Sequence, residues 1–171
     1  ELLSQSGTTM PNMHLIGSLQ TNKVKLVLGK AALIHSLDRE SLAQALHKEA
    51  QRQGISAKVL LEINCGREAS KGGVFPEDAE RLAELVCSLD GLSLVGVMTM
   101  APICERKEDY RPYFKEVRRL YEKMKASKNL YELHRLRKKA DYKLFNPLTE
   151  KDINDSIKYM ENVLNELKFE N

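Results

Sequence analysis

The sequence lacks a long apolar run, a secretory signal and a large excess of either charge. The apolar, charge-free run from Gly91 to Cys104 is interrupted by Pro102 and is shorter than the ~18 residues that a membrane-spanning helix needs. The first ten residues have neither the basic start nor the apolar stretch of a signal peptide. We therefore expect a cytoplasmic protein that does not enter a membrane. The formal net charge of +3 over 171 residues does not by itself require a polyanionic partner.

Cysteine is scarce as well. The three cysteines (Cys65, Cys87 and Cys104) are odd in number and have no C-x-x-C spacing, and the four histidines are scattered along the chain. This pattern supports neither a disulfide framework nor a zinc site, so we predict no bound metal.

The distribution of glycine and tyrosine divides the chain in two. All nine glycines lie between Gly7 and Gly96, and all six tyrosines lie between Tyr110 and Tyr159. The glycine-containing part alternates short apolar runs with helical patterns, which is typical of repeated βα units. The rest has only helical periodicity. We predict a βα domain over residues 1–126 and a helical tail over residues 127–171.

Four βα units can be counted, which predicts an α/β fold with parallel strands. Asp38 is placed to cap the helix that follows the second strand, and Pro76 fits the first position of the next helix. We also expect a helix from Tyr110 to Lys125 with Phe114 and Val117 on its buried side. The predicted strands are Met13 to Ile16, Leu33 to Ser36, Lys58 to Ile63 and Leu92 to Met98.

The tail predicts a C-terminal α-helical hairpin. Its first helix carries apolar residues from Leu130 to Ala140, Asn146-Pro147 breaks the pattern, and a second helix has an apolar stripe from Ile153 to Leu167.

The loop Gly66 to Gly73 contains glycines, a lysine and a serine, as phosphate-binding loops do. The register does not fit nucleotide hydrolysis, because Lys71 precedes the glycine and no Ser or Thr follows it. The loop still follows the carboxyl end of a strand, where βα folds bind ligands. Two roles of this loop remain open: it binds a small anionic ligand, or it is a solvated connector without a ligand. For His14 and His35, a core or barrel-mouth imidazole is a commoner role than catalysis.

Five segments together resemble the pyridoxal 5′-phosphate (PLP) homeostasis protein family, whose members share the alanine racemase N-terminal type of barrel. The resemblance covers the middle portion of that family's barrel, over residues 1–126. The segments are His14 to Lys23, Ile34 to Arg39, Val59 to Asn64 with Glu68 to Gly73, Gly96 to Pro102, and Arg111 to Phe114.

The resemblance implies a partial (β/α) TIM-type barrel that binds PLP, buffers or delivers this cofactor, and has no turnover of its own. The implied cofactor-binding residues are His14, Gly17, Asn64, Lys71 and Met98. The family's aldimine lysine and phosphate cup have no counterpart in this chain, so the resemblance also implies a truncated protein with weakened binding.

Two other interpretations stay open. The tail is more weakly similar to the helical domains called HEPN, which suggests an interaction or RNA-associated module. The ribonuclease signature R-x-x-x-x-H is absent, because no arginine stands five residues before His134 and no histidine follows it, and we regard nucleic acid as an improbable partner. A fusion remnant without function is the other interpretation. If sequential strands are neighbours, the sheet has two open edges, which predicts self-association.

Overall fold

The βα part of the chain forms one parallel sheet in the computed structural model, which describes residues 12–142 and 149–167. Sequential strands are neighbours, in the order β1-β2-β3-β4. The predicted four-stranded parallel sheet is therefore confirmed. The strands are β1 (Met13–Leu15), β2 (Ala31–Leu37), β3 (Ala57–Ile63) and β4 (Leu92–Thr99).

Helices lie between successive strands of the sheet, and two of them cover one of its faces. The helices are α1 (Val24–Val27), α2 (Glu40–Gln53), α3 (Ala79–Ser88), α4 (Arg111–Tyr142) and α5 (Glu150–Leu167). Helices α2 and α3 contact each other and both contact β3 and β4. The apolar residues of α2 at 42, 43, 46 and 50 and of α3 at 79, 82, 83 and 86 are all buried. The core therefore lies between these helices and the sheet.

Strand β3 alternates between this core and the opposite face of the sheet. Val59, Leu61 and Ile63 are at most 1% exposed, while Lys58 is exposed and Glu62 is half-buried. Strand β3 thus has one fully buried face and one face that carries polar residues. We call the face opposite α2 and α3 the open face.

The chain divides into two units, Glu1–Val117 and Arg118–Asn171. The sheet belongs to the first unit, and α5 and most of α4 belong to the second. The domain boundary at residue 126 stays a prediction. The helical hairpin also stays a prediction, since the break at Asn146-Pro147 lies outside the described residues.

Three local predictions are wrong. Asp38 does not cap α2, because Arg39 occupies the capping position and the Asp38 carboxylate pairs with the Arg39 guanidinium instead. Phe114 is 51% exposed, whereas Val117 is buried as expected. The helix predicted to end at Lys125 continues without interruption to Tyr142, since no glycine or proline lies in that interval.

Candidate functional site

The carboxyl ends of the four strands lie along one edge of the sheet, where parallel βα folds bind their ligands. Strand β3 runs directly into the loop 64–74, which contains two of the predicted site residues, Asn64 and Lys71. His14 lies on β1 and Met98 on β4. These four predicted residues therefore lie on β1, on β4 and in the loop that follows β3.

Asn64 organises the loop that follows β3. Its side chain is 4% exposed and its Nδ2 donates to the carbonyl oxygens of Glu68 at 2.9 Å and Lys71 at 3.3 Å. Its Oδ1 accepts a hydrogen bond of 3.2 Å from the backbone N–H of Glu68. These three hydrogen bonds satisfy the side chain from within the loop, so Asn64 positions the loop around Lys71.

The end of the loop returns to β3. The Asn64 N–H donates to the Val74 carbonyl at 2.9 Å, and the Val74 N–H donates to the Glu62 carbonyl at 2.8 Å. This return requires Gly73, which has a φ of +104°. A Cβ at Gly73 would lie 2.7 Å from the Asn64 nitrogen, a distance that no side chain tolerates. The loop is thus closed by backbone hydrogen bonds at its base.

The loop passes over two carboxylates. A Cβ added to Gly72 would lie 3.4 Å from Glu62 Oε1 and 3.8 Å from Asp38 Oδ2. Burial, and secondarily the charge of Asp38, raise the pKa of the Glu62 carboxyl above its ordinary value. The edge of the sheet beneath Gly72 is therefore acidic, which disfavours an anion at that point.

The cationic side chains near this edge have carboxylate partners. Lys71 Nζ lies 2.6 Å from Glu68 Oε2, and Arg39 pairs with Asp38. Arg67 bridges two acidic residues, Glu77 at 2.7 Å and Glu116 at 2.9 Å. Because each of these three cations is paired with a carboxylate, none of them forms a binding site for an anion by itself.

His14 contacts a second histidine across the strands β1 and β2. The Nδ1 of His14 and the Nε2 of His35 are 3.1 Å apart, and the ring centroids are 5.1 Å apart. His35 alternates with the buried residues Ile34 and Ser36, so the histidine pair lies on the open face. The sequence provides no signal for this contact, because it depends on the register between β1 and β2.

Met98 lies at the other side of the sheet. It pairs with Glu62 in the register between β3 and β4, which places the two on the same face. His14 and Met98 belong to opposite edge strands of the four, about 14 Å apart along a flat sheet at the usual strand spacing. Gly17 is exposed, and a Cβ added there would meet no atom within 4 Å. The described residues therefore bring Asn64 and Lys71 together but keep His14 and Met98 apart.

Sequence reasoning missed the contribution of Asp38 and Glu62 to the site. Asp38 was assigned to helix capping, and Glu62 was only included in the predicted strand Lys58 to Ile63. The alternation of Lys58, Leu60 and Glu62 with three aliphatic residues was the signal for a one-sided strand.

Metal clusters and membrane spans are absent from the described parts of the chain. No group of three or more His, Cys, Asp or Glu side chains there could hold a metal ion. No helix within residues 12–142 or 149–167 is both long and apolar enough to cross a bilayer.

Comparison with known proteins identifies relatives of the βα part. The chain is 45% identical over 117 residues to the pyridoxal phosphate homeostasis protein of Aquifex aeolicus (strain VF5), a match that covers 68% of this chain and 51% of the relative. It is 34% identical over 114 residues to the protein of the same name from Helicobacter pylori (strain ATCC 700392 / 26695), covering 66% and 51%. The chain thus spans about half the length of these relatives.

Solved structures show the same fold. PipY of Synechococcus elongatus PCC7942 with PLP bound has a TM-score of 0.63 at 24% identity, covering 74% of this chain and 57% of PipY. Alanine racemase of Clostridium difficile 630 has a TM-score of 0.55 at 20% identity, covering 70% and 32%. The four-stranded sheet with its helices is therefore part of an alanine racemase-like β/α barrel. The model of the alanine racemase N-terminal domain matches residues 1–140, and the chain belongs to this family.

Proposed function

We propose that this chain binds PLP and serves PLP homeostasis as a binding protein that buffers or delivers the cofactor in the cytoplasm. The observation that carries the proposal is the 45% identity over 117 residues to a pyridoxal phosphate homeostasis protein. PipY, which has the same fold, is a PLP-bound protein in its crystal structure. Both proteins support binding rather than turnover as the role of this chain.

The described residues fit the ring of PLP better than its phosphate. The histidine pair offers a hydrogen-bonding nitrogen on the open face, and the Met98 thioether offers a polarisable contact for an aromatic ring. Lys71 and Arg39 are already paired with carboxylates, and Glu62 and Asp38 repel a phosphate. We therefore assign contacts with the pyridine ring, and not the phosphate pocket, to this edge of the sheet.

Each predicted site residue has a distinct proposed part. Met98 contacts the ring, whereas His14 and the exposed Gly17 lie on and just after the opposite edge strand and would contact other parts of the cofactor. Asn64 holds the loop, and Lys71 supplies local positive charge that Glu68 largely offsets. The ion pair with Glu68 holds the Lys71 Nζ, so we assign Lys71 no imine with the cofactor.

A PLP titration of the full chain tests the proposal. We expect saturable binding that is weakened by Met98→Ala but is unchanged by Val95→Ala, because Val95 is a 46% exposed residue that bulges out of the ladder beside Gly96. Borohydride reduction should give low labelling spread over several lysines. Lys71→Ala should change the affinity by less than tenfold. The absence of saturable binding would refute the proposal, and a single stoichiometric pyridoxyl-lysine would refute the assignment of roles.

We also propose that the chain self-associates through its sheet edges. In the described residues, β1 and β4 are the edge strands, and Met13 and Val95 on them are 42% and 46% exposed. Unpaired strand edges template pairing with another strand. Sedimentation velocity at micromolar concentration should show a dimer or larger species, which the edge charges of Met13→Lys and Val95→Lys should reduce. A monomer at all concentrations would contradict this.

A further inference from the structure

The histidine pair on the open face has the geometry of a bidentate metal site. His14 Nδ1 and His35 Nε2 face each other at 3.1 Å. Imidazole nitrogens bind late first-row metals at about 2.0–2.1 Å, so an ion bridging this pair would subtend an N–metal–N angle of about 98°. That angle lies between the ~90° of tetragonal sites and the ~109° of tetrahedral sites. The distance between the two nitrogens therefore suits a bridging ion.

We propose that His14 and His35 bind a late first-row divalent cation such as Zn²⁺ or Cu²⁺. In the hydrogen bond between the two rings, the N–H proton of one ring lies between the two nitrogens, with donor and acceptor set by the tautomer. A metal ion takes the place of that proton when the donor imidazole moves its N–H to its other ring nitrogen. That proton moves within the donor ring, so the step needs no proton acceptor outside the pair.

The surroundings of the pair favour a cation. His14 is exposed and His35 is half-buried, so an ion can reach the nitrogens from solvent and retain water in its other positions. The carboxylates of Asp38 and Glu62 lie at the carboxyl edge of the adjoining strands β2 and β3. They contribute a negative potential without being ligands.

The structure also limits what kind of site this is. Since the described residues hold no group of three or more ligating side chains, His14 and His35 are the two ligands that this part of the chain supplies, and the other positions are open to water or a small donor. Such a site exchanges its metal, unlike a closed structural site with four protein ligands. Imidazole ligands suit zinc, copper and nickel, and affinity in a given nitrogen site peaks at Cu²⁺.

The test is a calorimetric titration of Zn²⁺ into the untagged full chain, prepared without PLP. We expect one equivalent to bind, and we expect His14→Ala and His35→Ala each to weaken binding at least tenfold. His47→Gln is the matched control, since it removes an imidazole from α2 outside the pair and should leave the affinity unchanged. Cu²⁺ added to the same proteins should show two coordinated nitrogens by electron paramagnetic resonance, and one or none in either variant.

Two results would overturn the inference. One is Zn²⁺ affinity that is equal in the wild-type protein and in both variants, which would assign the metal to other donors such as the cysteines. The other is no binding to the wild-type protein at all. His14 lies on the short edge strand β1 and is exposed, so its substitution should leave the circular dichroism spectrum unchanged and keep the comparison valid even where His35→Ala unfolds the chain. The outcome is independent of whether PLP binds.

Discussion

Asn64→Ala provides the strongest test of how the ligand edge is built. The substitution removes three hydrogen bonds that the buried side chain makes within its own loop, to Glu68 and Lys71. A net contribution of about 1 kcal/mol for a good hydrogen bond, reduced for the two bonds longer than 3.1 Å, predicts a loss of about 2–3 kcal/mol in the free energy of unfolding. Part of this loss is the cost of leaving the backbone groups that had bonded to the Asn64 amide without a hydrogen-bond partner.

The assay has a global and a local readout. Urea unfolding measures the change in free energy, with the m-value checked for a change in the exposed surface. Amide hydrogen exchange measures the loop directly: the Glu68 amide, which donates to Asn64 Oδ1, should exchange faster in the variant. The Asp78 amide, which donates to the Phe75 carbonyl in the next segment, should keep its rate.

Asn22→Ala is the matched control. Asn22 is exposed in a short 3-10 helix, so its loss should change the free energy of unfolding by less than about 0.5 kcal/mol. If Asn64→Ala were equally mild, or if the exchange of the Glu68 amide did not change, the assignment of Asn64 as the residue that organises the loop would be wrong.

The other predictions concern the same unit. Gly73→Ala should destabilise the fold by about 2 kcal/mol or more, because its φ of +104° and the 2.7 Å approach to the backbone exclude a side chain, whereas Gly17→Ala should be nearly neutral in the same urea assay. Glu62→Gln should stabilise the chain at neutral pH. Because the pKa of the Glu62 carboxyl is raised in the folded state, its contribution to stability is present below its unfolded pKa and is lost as the pH rises through its folded pKa. The stability advantage of the variant should therefore grow from pH 4 to pH 7, and a difference that does not depend on pH would contradict this. Arg52→Gln should raise the pKa of Glu49 from about 2 toward 4.5, because the Arg52 hydrogen bond is the main cause of the depression, and NMR titration of the carboxyl measures this directly.

Local patterns in the sequence were sufficient to predict most of the strands of the sheet. The aliphatic runs at β2, β3 and β4 and the turn residues between them predicted four parallel strands in sequential order, because hydrophobic burial and short connections dominate such a fold. The same local reasoning failed at Asp38, where an ion pair with Arg39 outweighed the capping tendency. It also failed at Lys125, where a helix end was predicted, because nothing in the local sequence ends a helix there.

The candidate site was less accessible to sequence reasoning. Asn64 and Lys71 are seven residues apart and could be placed on one loop, although the loop's internal hydrogen bonds could not be read from composition. The contact between His14 and His35 depends on a strand register that shifts between Met13 and His14. A one-residue change in register would place an imidazole on the other face, so this contact needs three-dimensional information.

The sequential strand order has a consequence for synthesis of the chain. Each strand of β1-β2-β3-β4 pairs with the strand that the ribosome produced immediately before it. A nascent chain can therefore add one strand and its covering helix at a time, without holding a gap open for a strand that has not yet been made. In a sheet whose central strands are encoded late, the early strands must wait with both backbone edges unpaired, and slow non-local pairing prolongs exposure to aggregation. Here β2, β3 and β4 each find a partner strand that has already been made, so the growing edge of the described sheet moves forward along the chain as it is translated.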